Sequence, residues 1–179
     1  SKYTEVLGTT PSINTPKILV VNGFDRINGT NNSFDYIKQH GQAIKNSGYT
    51  FDATSNEAVI DGTLNLNDYL IVDWILGEEG SSSYSFDANE QTKVTSFLKN
   101  GGRLFVSGSE IGYDLVEKGN QYDKDFYYKI LKANYLSDAP AGKQGVYDIN
   151  GVSGTVFDNI SFSFDNGNMG TYDVEWPDG

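Results

Sequence analysis

Three apolar segments constrain this chain more than anything else in it. They are Ile18-Leu19-Val20-Val21, Tyr69-Leu70-Ile71-Val72-Asp73-Trp74-Ile75-Leu76 and Leu104-Phe105-Val106. A strand with one wet face alternates apolar and polar residues, and these segments do not. The near-continuous, β-branched run Ile18 to Val21 predicts a strand buried on both faces, as in a parallel sheet covered by helices, and the other two segments read as further strands, 69–76 being the most apolar stretch of the chain.

The intervening text carries helix signals. A helix is predicted from about Ser33 to Asn46, with Phe34, Ile37, Gly41 and Ile44 on one face and Gly48 as its stop. A second strand is read at 49–53. A polar segment at 54–68 then leads through Leu64, Leu66 and Tyr69 into the long apolar strand. Helix 87–100 opens with Asp87 as N-cap and Glu90 three residues on, the spacing of a capping box. Its Val94, Phe97 and Leu98 face inward, and Asn100-Gly101-Gly102 closes it. A fourth strand at 103–107 and a helix at 123–133 follow.

From about 143 the text changes to short segments broken by Gly and Asn, which predicts a β-rich ending. Residues 3–7 read as a short strand and 8–16 as a linker, so the domain proper is 17–179. The expected fold class is α/β, a doubly wound, mostly parallel sheet with a β-rich C-terminal extension.

Bulk properties remove several functions. The 179 residues carry 24 acidic and 13 basic side chains, a net charge of −11. A nucleic-acid groove needs clustered Lys and Arg, so no nucleic-acid partner is expected. No apolar run approaches the ~18–20 residues of a membrane helix, so no membrane insertion is expected. There is no cysteine, which excludes thiol catalysis, disulfides and Cys-based zinc sites. The text begins and ends mid-stream, as a piece of a longer protein would.

In open α/β sheets, ligands bind beyond the carboxyl ends of the strands. The first buried strand is followed by Asn22, Phe24, Asp25 and Arg26, the third by Glu78 and Glu79, and the fourth by Ser109, Glu110, Tyr113 and Asp114. Carboxylates dominate. The turn Gly108-Ser109-Glu110-Ile111-Gly112 has the glycine spacing of a nucleophile elbow, with Glu110 where Ser or Cys would stand. A helix N-terminus favours an ionised carboxylate, so Glu110 could act as a base, a metal ligand or a helix cap. Ser109 has no base nearby in sequence. The sole histidine, His40, sits inside the first helix and reads as a half-buried or surface residue, which argues against a serine triad.

Three readings stand. The first is a non-catalytic module that binds glycan or packs against neighbouring domains of the same chain. The second is a carbohydrate or cell-wall hydrolase or lyase. It would use Glu110, Glu78 and Asp25 as catalytic groups, with Asn22, Arg26, Glu79, Ser109, Tyr113 and Asp114 binding substrate. The third is a divalent-cation site, Ca²⁺ being the ion such oxygens would take; no other cofactor is expected. Asp148-x-Asn150-Gly151 and Asp165-Asn166-Gly167-Asn168 resemble calcium loops but read as turns. Asn28-Gly-Thr30 and Asn31-Asn-Ser33 match glycosylation acceptors. Tyr84 and Tyr113 are candidates for stacking on sugar rings, whereas Trp74, inside a strand, reads as core.

Residues 17 to about 137 resemble the class I glutamine amidotransferase-like superfamily, whose sheet is flavodoxin-like. The resemblance rests on Lys17-Ile-Leu-Val-Val-Asn-Gly-Phe-Asp-Arg26, Trp74-Ile-Leu-Gly-Glu-Glu79 and Gly101-Gly-Arg-Leu-Phe-Val-Ser-Gly-Ser-Glu-Ile-Gly112. More narrowly, these stretches are similar to a domain of large secreted bacterial proteins, labelled xanthan lyase-like or amidase-like, that often follows fibronectin type III modules. The resemblance implies secretion or a cell-surface location, and makes residues 3–7 the last strand of such a module. The superfamily's amidotransferases place Cys at the elbow with a His and Glu downstream. Here Glu110 holds that position and no His follows, so glutaminase chemistry is excluded.

Overall fold

The computed structural model describes residues 6–7, 16–27, 32–79, 83–138 and 148–163. Residues 3–5, the linker at 8–15, Asn28 to Asn31 and the Asp165-Asn166-Gly167-Asn168 motif lie outside the described residues.

Five strands form one sheet: β1 (Val6–Leu7), β2 (Ile18–Asn22), β3 (Phe51–Ser55), β4 (Ile71–Gly77) and β5 (Arg103–Gly108), in the order β1-β3-β2-β4-β5. The four long strands are all parallel, and β1 pairs antiparallel with β3 at one edge. With its flanking helices this is an α/β fold. Helix α1 (Tyr36–Asn46) joins β2 to β3, and α3 (Ala88–Lys99) joins β4 to β5.

Burial follows the first apolar run, whereas no residue of β5, at the edge of the sheet, is fully buried. Every residue of β2 is buried, as the unbroken Ile18–Val21 run predicts. On one face Val20, Phe24, Ala53 and Ile75 form a cluster under Ile37 and Ile44 of α1. On the other, the buried Trp74 ring packs 5.4 Å from Phe86, which in turn meets Phe126 at 5.2 Å. Trp74 is core, as its place in a strand implies. Helix α3 begins at the expected capping box, with Asp87 accepting from Asn89 and Glu90 and the Glu90 side chain returning to the Asp87 N–H.

The sequence reading missed one helical piece and expected a second, after the elbow, without giving its bounds. Helix α2 (Asn56–Ile60) lies in the segment read as a polar loop and buries Ala58 and Val59. A π-helical turn, Tyr113–Lys118, precedes α4 (Gln121–Asp125), which runs on into a second π-helical turn, Phe126–Leu131. Strand β5 ends the sheet, and among the described residues no strand pairs with its outer edge. Its Leu104 and Val106 line a groove of about 350 Å³ with Leu98 and Tyr127. Phe105 points to the opposite face and stays 50% exposed.

Residues 135–179 form a second compact unit. In it β6 (Asp148–Asn150) pairs antiparallel with β7 (Ser161–Ser163). Asp148 and Asn150 are therefore strand residues, where the sequence suggested a turn. Their side chains accept cross-strand bonds from the Ser163 and Ser161 hydroxyls. Among the described residues no helix is long and apolar enough to cross a membrane.

Gly23 marks where β2 leaves the sheet. Its N–H donates to the Ile75 carbonyl at 2.7 Å, and a Cβ there would fall inside the Trp74 indole. Gly23→Ala is expected to destabilise the domain by about 1–3 kcal/mol through overpacking. Denaturant titration of the variant against wild type checks this.

Candidate functional site

The carboxyl ends of β2, β3 and β4 are fastened together by one buried network. Glu79, just past β4, has no exposed surface. Its carboxylate accepts the backbone N–H of Asp25 at 3.1 Å and that of Arg26 at 3.4 Å. Asn32 adds a third donor, its Nδ2 lying 3.3 Å from Glu79 Oε2 and 2.8 Å from the Arg26 carbonyl. The Asn32 Oδ1 accepts the Glu78 N–H at 2.7 Å. This bond needs Gly77: at φ 56 a glycine turns the chain without strain, and a Cβ would collide with the Asn32 amide. The Arg26 guanidinium closes the same junction by donating to the Glu78 carbonyl.

A second branch runs through Asp25. Asn56, the first residue of α2 and buried, donates from Nδ2 to Asp25 Oδ1 at 3.1 Å and to Glu90 Oε1 at 2.8 Å. Glu90 Oε2 accepts the Asp87 N–H at 2.7 Å. Asp25 is exposed and Glu90 buried, so one amide links a surface carboxyl to an interior one. Burial raises Glu90 to about 8, against the opposing pull of Asn56 and the Asp87 N–H, with Asp87 and Asp25 repelling its charge. Burial also raises Glu79, against the N–H bonds from Asp25 and Arg26.

The elbow beyond β5 forms a separate arrangement. Glu110 adopts φ 60, the left-handed region. Its carbonyl accepts the Asp114 N–H at 2.9 Å. The helical run begins at Ile111 and Gly112 lies inside it, so Glu110 stands at the position just before the helix that the sequence suggested. Asp114 is buried, with Oδ2 accepting the Ser85 N–H at 2.7 Å and Oδ1 lying 3.1 Å from Lys118 Nζ. Ser109 donates its N–H to the Gly77 carbonyl at 2.8 Å and its hydroxyl to the same oxygen at 3.4 Å. The two arrangements meet at Gly77.

Of the residues singled out from sequence, Asp25, Arg26, Glu79 and the backbone of Glu78 share the first network. The Glu78 carboxylate lies on the other side, near Tyr36, whose hydroxyl it helps to push up after burial. Asn22 is buried, with Oδ1 unbonded among the described residues. Ser109, Glu110 and Asp114 belong to the elbow, and Tyr113 is half-buried beside them. His40 is bonded to Asp73 at 2.7 Å, between α1 and β4. Among the described residues no group of three His, Asp or Glu side chains is arranged to hold a metal ion.

Sequence reasoning missed Asn32, Asn56 and Glu90. Asn56 follows β3 directly; the strand runs to Ser55, two residues past the end read from sequence. Glu90 was legible as a capping-box residue, but its second role, facing Asn56, was not.

Compared with known protein families, curated proteins and solved structures, the chain finds no match.

Two substitutions test the network. Glu79→Gln puts an NH₂ against backbone or Asn32 donors, leaving a buried donor unsatisfied at a cost of about 1–3 kcal/mol. The melting temperature should fall by roughly 2–4 °C per kcal/mol. Calorimetry reads it directly.

Glu90 sets a pH dependence. Between its ordinary value of 4.5 and about 8, the folded state holds a proton that the unfolded chain has released. Stability therefore falls as pH rises through that window, with a slope of up to ~1.4 kcal/mol per pH unit. Above it the loss is complete. Glu79, shifted the same way, adds to the slope. Glu90→Gln keeps a capping-box side chain and should make the profile shallower in denaturant titrations from pH 5 to 9.

Proposed function

We propose that this chain is a non-catalytic accessory module of a secreted, multi-domain bacterial protein. It is built on a doubly wound, flavodoxin-like sheet, and it binds glycan or packs against neighbouring domains of the same chain. The observation that carries this reading is Glu79. Ligand-binding α/β domains present backbone N–H groups at their strand ends to the anionic part of a ligand. Here the N–H groups of Asp25 and Arg26 are taken by the chain's own carboxylate. The half-exposed Phe105 and the outer edge of β5, unpaired among the described residues, support the packing role.

A second reading is a carbohydrate or cell-wall hydrolase or lyase centred on Glu110. The left-handed backbone at Glu110 favours it, because strained positions of this kind gather at reactive turns.

The two part in one experiment. The purified domain is incubated with cellulose, xylan, chitin and peptidoglycan, and both retention and released reducing or unsaturated ends are measured. The accessory reading expects no products from wild type or from Glu110→Gln. Turnover by wild type that Glu110→Gln abolishes would replace it with the second reading.

A further inference from the structure

We infer that the groove between α3 and the helical segment 121–131 is a binding subsite for a neutral sugar unit. The inference rests on the glycan-binding form of the function proposed above and gives it a location on the far side of α3 from the sheet-end network.

The groove has a volume of about 330 Å³, at the small end of the roughly 300–1,000 Å³ of ligand pockets. Tyr122 stands at its side and is 73% exposed. Its backbone is fixed, because Asn120 and Asp123 cap the helix reciprocally. An aromatic ring held out on a rigid backbone is a platform for the apolar face of a sugar ring, at low cost in ordering. Phe126 and Ile130 line the groove. Phe126 is itself braced by Phe86.

The polar groups suit hydroxyls. Gln91 lines the groove and is only 3% exposed. Its Nε2 donates to the Phe86 carbonyl at 3.0 Å and to Asp123 Oδ1 at 2.7 Å, which fixes which end of the amide is which. Its Oε1 has no partner among the described residues. A buried acceptor left open costs stability, and a ligand hydroxyl would satisfy it. At the rim Asp125 accepts from Gln121 at 2.9 Å and from Lys129 at 2.8 Å. Those two bonds hold its carboxyl below the usual range, Gln121 adding to the larger effect of Lys129. An ionised carboxylate beside an ammonium offers an acceptor and a donor to adjacent hydroxyls. The Thr95 hydroxyl adds another such group on α3.

Charge selects the class. With a net charge of −11 the domain repels uronates and sulfated or phosphorylated glycans. Lys129 is already paired with Asp125 and cannot serve as a free anion site. The ligand that fits is a neutral hexose or pentose unit within a longer chain.

The test uses ¹⁵N-labelled protein titrated separately with cellohexaose, xylohexaose, laminarihexaose and, as the charged control, oligogalacturonate. At least one neutral oligosaccharide is expected to shift the amides of Gln91, Thr95, Tyr122 and Lys129, with a Kd on the order of 1 mM. Tyr122→Ala should weaken binding at least about tenfold, and Tyr122→Phe should keep it within about threefold. Both should leave the melting temperature unchanged, since the side chain is exposed. Binding that maps elsewhere, or that Tyr122→Ala does not touch, overturns the subsite and leaves the glycan-binding reading standing. No shift with any neutral oligosaccharide at 10-fold the expected Kd overturns both. Preference for oligogalacturonate overturns the charge argument and the inference with it.

Discussion

The buried carboxylate of Glu79 is the interaction on which the sheet's functional end depends. Removing a carboxylate from water costs several kcal/mol unless hydrogen bonds replace the solvent. Here two consecutive backbone N–H groups and the Asn32 amide do so. Those N–H groups would otherwise be unpaired in a loop with no ladder to join. Neither partner is satisfied without the other, so the loops after β2 and β4 take up one shape together. The consequence reaches further than the contact. Once the Asp25 backbone is fixed, its side chain is presented to Asn56, and Asn56 in turn meets Glu90 at the head of α3.

Three carboxyl groups thus crowd the ends of three strands, with Arg26 as the nearest cation and its guanidinium turned to a carbonyl. The fold accommodates them in three ways. Glu79 is held by oriented backbone dipoles. Glu90 is driven toward its neutral form by burial, which removes one charge from the cluster near pH 7. Asp25 stays in solvent, where its charge is cheap. This division explains how an acidic chain keeps acids together at the position where α/β domains more often place a ligand. A surface carboxyl and an interior one thus share the one amide of Asn56.

The parts legible from sequence were those set by local rules. The unbroken run Ile18–Val21 revealed the buried strand β2, because burial on both faces leaves no polar phase; the equally apolar Leu104-Phe105-Val106 did not reveal that β5 lies at an edge. The Asp87 to Glu90 spacing revealed the start of α3, because a capping box is a short-range device. The grouping of Asn22, Asp25, Glu78 and Glu110 at strand ends was legible as topology. What each side chain would face was not. Asn56 and Glu90 are 34 positions apart and meet only because β3 ends beside the start of α3. A helix after the elbow was implied by the turn, but its π-helical stretch Tyr113–Lys118 was not, because π-helical spacing carries no propensity signal of its own. In the second unit Asp148 and Asn150 look like turn formers by composition, yet cross-strand serines give them a place in a strand.

The elbow residue inherits its geometry from Glu79. A non-glycine residue at φ 60 persists only where its surroundings over-determine it. Those surroundings are specific. Gly108 lets the chain pass against β4, where a Cβ would lie 2.7 Å from that of Leu76. Ser109 is then bound twice to the Gly77 carbonyl. Gly77 owes its own turn to the Asn32 amide, and Asn32 is held in part by Glu79. The strain at Glu110 is therefore maintained by a chain of contacts that ends in a carboxylate beyond the neighbouring strand. A turn with the form of a reactive site can be held in place by such a chain of constraints, whatever the side chain at its centre does. The backbone at Glu110 consequently identifies a place where the fold is tightly constrained.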